Sequence, residues 1–195
     1  MARALALGLA VAVGAGCAAL RQLEDPGPLT IRSLADGARL ELRPTAAAAQ
    51  RREDGALTAF ATDIPPAAWS QPIGALEGSV VVVERFFAPT PGRTPMEASS
   101  SNGSVRWLVL ARGAVGVYEG GAMVDSAGGL FRDAPTLRLR GATLRLGAAS
   151  EGFVDALGPS EASGAFTAND DPHGAAALRA LAERALAATR PLERP

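Results

Sequence analysis

From residue 29 onward, apolar and polar side chains change places every second residue over one short stretch after another. That is the spacing of a half-buried β-strand. Leu29 and Ile31 share one side of residues 29–33, and Ala38, Leu40 and Leu42 oppose Arg39, Glu41 and Arg43. Asp36-Gly37 between them is a turn signal, so the pair predicts a β-hairpin with one buried face. Residues 57–64 alternate less cleanly, with Leu57, Ala59 and Ala61 opposite Thr58, Phe60 and Thr62, until Pro65-Pro66 stops them. Val80-Val81-Val82-Val83, within 79–87, predicts a central strand covered on both faces. Residues 105–111, carrying Trp107, form the next strand. After the turn Arg112-Gly113, a further strand begins at Val115 and is broken or bulged at Gly120-Gly121. Residues 136–146 alternate most clearly: Leu137, Leu139, Leu144 and Leu146 point inward, and Arg138, Arg140 and Arg145 point outward. The last strand surrounds Phe166 over 163–169.

The period then changes. Asp170-Asp171-Pro172 places acids and a proline where a helix begins. Leu178, Leu181, Ala182, Ala185 and Leu186 follow on one face, which predicts an amphipathic helix over about 172–189, ended by Pro191. Its apolar stripe is narrow and suits packing on the sheet, with a partner-binding helix as the other reading. Four consecutive alanines within 45–54, between Thr45 and Gly55, read as a short capped helix or a surface loop. Trp69, among prolines, is expected to plug one end of the core. Residues 89–103 and 126–135 read as loops, and 151–157 fit no single element. The fold class is therefore mainly β: an antiparallel sandwich or barrel-like sheet of about eight to ten short strands with one C-terminal amphipathic helix, or else an α+β layer.

The first residues do not belong to that pattern. Arg3 is followed by an uncharged run, 4–20, of Leu, Val, Ala and Gly. A positive start, an apolar run and small residues before a cut are the order of a secretory signal. The run falls short of the ~20 strongly apolar residues of a spanning helix. It contains Gly14-Ala15-Gly16-Cys17, which resembles the bacterial lipobox, with Gly14 where that motif usually has an aliphatic residue. The resemblance implies cleavage before Cys17 and a diacylglycerol on its thiol. It covers the leader alone; the remainder resembles no family. The competing reading is ordinary cleavage near Ala18 or Ala19, which leaves a soluble secreted or periplasmic protein. The expected organisation is a signal peptide (1–16), a lipidated Cys17 with its tether (17–28) and one β-rich domain (29–195).

Composition narrows the chemistry. Cys17 is the only cysteine, so neither an intramolecular disulfide nor a thiolate metal site can form. All 19 basic residues are Arg, and without Arg3 the remaining 18 face 20 acids. A net charge of −2 argues against nonspecific nucleic-acid binding. His173, the only histidine, falls in the first helical turn, no Ser sits in a Gly-x-Ser-x-Gly elbow, and P-loop and dinucleotide glycine patterns are missing. Asp170-Asp171 reads as helix capping rather than a cation site. Arg138, Arg140 and Arg145 suit a solvated strand face that discourages edge pairing, or a small anion patch. No catalytic residue, metal site or cofactor is therefore assigned. The expected partners are a membrane, reached through the N-terminal lipid, and an envelope protein. Three functions are carried forward: a lipid-anchored envelope protein with a structural or interaction role; a carrier of small apolar ligands in a pocket lined by Trp69, Trp107 and Phe86; and a hydrolase whose acids are assembled by the fold.

Overall fold

A computed structural model of the chain describes residues 28–52, 56–88, 101–127 and 134–192. The protein is mainly β, with a strongly curled sheet that forms a half-barrel and one C-terminal helix. The strands are β1 (Leu29–Ser33), β2 (Arg39–Leu42), β3 (Ala46–Arg51), β4 (Leu57–Thr62), β5 (Gly78–Arg85), β6 (Gly103–Ala111), β7 (Ala114–Ala127), β8 (Thr136–Ala149), β9 (Ser160–Thr167), β10 (Asn169–Asp170) and β11 (Arg190–Pro191). The helix α1 is Pro172–Ala187. Strands β3 to β9 form an antiparallel meander. The first hairpin then adds to its far side, giving the order β10-β3-β4-β5-β6-β7-β8-β9-β1-β2.

Chain connectivity accounts for the curl. Strands β2 and β3 lie at opposite ends of that order, yet only residues 43–45 join them. Four Cα–Cα steps reach at most about 14 Å, so the two sides of the sheet must bend toward each other. Side chains from β1 to β9 accordingly meet in one cluster on the concave face, including Leu29, Ile31, Leu42, Val81, Trp107, Tyr118, Leu139 and Phe166. The four valines of β5 divide as a doubly covered strand requires. Val81 and Val83 enter the concave cluster, while Val80 and Val82 join Phe60, Leu108 and Val117 on the convex face.

The helix covers that convex patch with Ala175, Leu178, Leu181, Ala182 and Ala185. Its start follows from Asp171 and Pro172: the Asp171 carboxylate accepts from the backbone N–H of His173 at 3.0 Å, and proline occupies the first turn. The Asp171 N–H donates to Ala49 O at 3.1 Å, which ties the helix start to β3. Each buried leucine contributes about 1.5–3 kcal/mol, so the stripe supplies more than the weak propensity of a solitary helix.

Several expectations need correction. Residues 46–51 form β3, neither a helix nor a loop, paired residue for residue with β4 from Ala46–Thr62 to Arg51–Leu57. Alanine prefers a helix by only tenths of a kcal/mol per residue, and pairing overrides it. Small side chains are also needed there: a Cβ on Gly174 would lie 3.3 Å from the Ala48 Cβ, so α1 approaches closely. Gly55, the expected cap, lies outside the described residues. Gly103 opens β6 and Asn102 is buried, so the expected 89–103 loop ends earlier; 89–100 lie outside the described residues. Ser126 still belongs to β7, whereas 128–133 are likewise outside. Strand β9 begins at Ser160 rather than 163. The helix ends at Ala187, and Arg190–Pro191 then pairs with Ala149 and Ala148 of β8. Arg138, Arg140 and Arg145 are exposed as expected, but β8 lies between β7 and β9, so they guard no edge.

Candidate functional site at the Phe86–Asn102 rim

Strand β5 runs to one rim of the sheet and leaves it through Phe86 and Phe87. Strand β6 enters beside it at Gly103, opposite Arg85, while β7 continues past Ala122, the partner of Gly103. From Val124 onward β7 therefore has no β6 residue beside it. Asn102 fills the step. Its backbone N–H donates to Ala122 O at 3.1 Å. Its side chain then acts as one more residue of ladder: Oδ1 accepts from Val124 N at 2.7 Å and Nδ2 donates to Val124 O at 3.0 Å. Nδ2 also reaches Phe87 O at 3.2 Å, and Phe86 N donates to Asn102 O at 2.9 Å. Asn102 thus fixes the backbone of both phenylalanines, Phe86 through its own carbonyl and Phe87 through its side-chain amide. Phe86 and Phe87 themselves remain 58% and 46% exposed.

Arg85 braces the same gap from the concave side. Its parity matches that of Val81 and Val83, it is buried, and Nη1 donates to Ser126 Oγ of β7 at 2.5 Å. Burial pulls its pKa below the usual arginine value, and the charge of Arg51 adds to the effect. Gly103 must be glycine because a Cβ there would lie 2.4 Å from Glu84 O.

The chain enters the sheet at this rim. From Arg85 the register passes to Gly103, to Ala122, across the bulge of β8 beside Ala142, to Ala162 and to Ile31. Strand β1 runs away from the rim, so Leu29 and Pro28 lie two and three residues nearer to it than Ile31. The helix also starts on this side. The opposite end carries the β6–β7 turn, with Arg112 and Gly113 at φ 51° and 80°, and the loop after β8. In that loop Asp155 accepts a 2.6 Å hydrogen bond from the Tyr118 hydroxyl. Burial, then this carboxylate, raises the Tyr118 pKa well above the ordinary phenol value.

Open grooves lie elsewhere on the surface. One of about 520 Å³ crosses the convex face of β6, β7 and β8. Arg106, Glu119 and Arg145 lie opposite one another in its walls, so its charges alternate. Glu119 is its one wall carboxylate. A second, of about 270 Å³, runs beside α1 and is lined by Glu84, Arg106, Arg179 and Glu183 among others. Arg140 is held to Asp125 at 2.8 Å.

The three aromatic residues expected to line a pocket do not converge. Trp107 is fully buried in the concave core, and its indole N–H has no hydrogen-bond partner among the described residues. Trp69 is half-buried beside the convex cluster and donates to Ile64 O at 2.9 Å. Phe86 stands at the rim. His173 is exposed in the first turn of α1. Cys17 lies outside the described residues. Sequence reasoning missed Asn102, Arg85 and Phe87. The available signal was Phe86-Phe87 directly after the valine strand, two large apolar residues where the strand runs out. Comparisons with protein-family profiles, with curated proteins and with solved structures give no match.

Proposed function

We propose that the chain is an exported envelope protein, held on a membrane by lipid on Cys17, whose β-rich body has a structural or interaction role. The observation that carries this reading is the leader: an uncharged apolar run ending in small residues and the chain's only cysteine. A diacylglycerol carries two acyl chains, which hold firmly where one chain alone is marginal, since each buried methylene contributes ~0.8 kcal/mol. No helix among the described residues is long and apolar enough to cross a membrane. The concave face, where a carrier would hold its ligand, is filled by Trp107, Tyr118 and Phe166. Gly14, at the lipobox position usually aliphatic, favours the second reading: signal cleavage and release of a soluble protein.

Metabolic labelling with a fatty-acid analogue separates the two. Label is expected on the wild-type chain and absent from Cys17→Ser. An unlabelled wild-type chain recovered in the soluble fraction overturns the anchor.

A further inference from the structure

We infer that the rim displaying Phe86 and Phe87 lies in the interfacial layer of the membrane that holds the chain. This deepens the lipid-anchor reading and rests on it.

Three observations converge on lipid as the occupant. The first is the aromatic pair itself. Adjacent phenylalanines 58% and 46% exposed are not the scattered surface apolar residues of an ordinary domain. Phenylalanine is also among the residues that seat a protein at the headgroup boundary. The second is the fixed backbone that carries them. Asn102, itself buried, holds Phe86 N and Phe87 O, so no backbone ordering cost is added on binding.

The third is where the anchor joins the sheet. Leu29 enters at this rim, twelve residues after Cys17. That length spans at most about 43 Å when fully extended, about the length of the 14-residue strand β7 between the two ends of the sheet. Short of full extension, the anchor segment cannot hold this rim a whole sheet-length above the bilayer, so an upright body resting on its opposite end is disfavoured. Tethering raises the effective concentration of the rim at the bilayer, so even a weak partition is populated. Among the described residues, the other exposed large apolar residues, Leu34, Val154 and Leu192, stand singly on three segments at the opposite end.

The test uses the full-length chain, extracted from membranes and reconstituted in phosphatidylcholine vesicles. A nitroxide is attached at Phe87→Cys or, as the far-end control, at Val154→Cys. Both sites are exposed, so neither label disturbs the core. Collision of the label with oxygen, which concentrates in lipid, is compared with collision with a water-soluble nickel chelate. The oxygen-to-nickel ratio is expected to be several-fold higher at 87 than at 154. Equal aqueous ratios on a chain that floats with the vesicles overturn the rim and leave the anchor standing. A lipid signature at 154 alone overturns it too. Protection at 87 in native membranes but not in pure lipid points instead to a protein partner and overturns it. A chain that fails to float with vesicles overturns the anchor reading, and the rim with it.

Discussion

Replacing Asn102 by alanine removes three hydrogen bonds from a buried site without touching either phenylalanine ring. The amide is 1% exposed and serves Val124 N, Val124 O and Phe87 O at 2.7, 3.0 and 3.2 Å. The Val124 N–H then faces protein with nothing to receive it, at a cost of about 1–3 kcal/mol for an orphaned buried donor. The two carbonyls and the vacated volume add to that, so the expected loss is about 3 kcal/mol. For a domain of this size, that lowers Tm by about 6–12 °C. Equilibrium urea unfolding, followed by tryptophan fluorescence, should show a lower midpoint with an unchanged slope. Asn102→Asp gives an internal check. At neutral pH it loses both donors and buries a carboxylate, whose pKa rises in the folded state. The folded state then binds more protons than the unfolded one, so stability must recover as pH falls through that raised pKa. A change within ~0.5 kcal/mol for Asn102→Ala, the range of an ordinary surface substitution, refutes the claim that this side chain completes the sheet.

The chain has one tyrosine, so tyrosinate absorbance reports Tyr118 alone. Burial and the Asp155 hydrogen bond raise its pKa, so the folded chain should show no ionisation as pH passes about 10, the value for a free phenol. Because the folded state keeps a proton that the unfolded state releases there, Tyr118 contributes stability below about pH 10 that is lost as pH rises further. Titration near 10 in the native chain would mean that the hydroxyl is not held as described. Leu181→Ala, on the sheet-facing stripe of α1, should cost about 2–5 kcal/mol. Hydrogen exchange should show the added opening in α1 and in β4 to β7 beneath it, and unchanged protection of α1 would contradict its docking on the convex face.

Where one local cue decided an element, the sequence was enough to find it. Val80–Val83 reads as a strand covered twice, Asp36-Gly37 as a turn, and Asp171-Pro172 as the helix start that the cap bears out. Elements decided by distant partners were hidden. Ala46–Arg51 carries helix-forming alanines, and only the β4 ladder and the approach of α1 make it a strand. The first hairpin pairs with β9, more than a hundred residues away, so the closure of the sheet left no local trace. The candidate site was less legible still. Asn102 sits in a run of Ser, Asn and Gly whose composition reads as loop, and its burial depends on β7 extending past the start of β6. Three aromatic residues were grouped by type, but strand parity and the position of α1 sent Trp107 inward, Trp69 to the convex side and Phe86 to the rim.

Whether a lipid on Cys17 holds this β-rich body at a membrane is read from the intact mass of the chain extracted from the membrane fraction. A lipid anchor gives a species beginning at Cys17, heavier than the polypeptide by a diacylglycerol group. A chain beginning at Ala18 or later, with the mass of bare polypeptide, contradicts it.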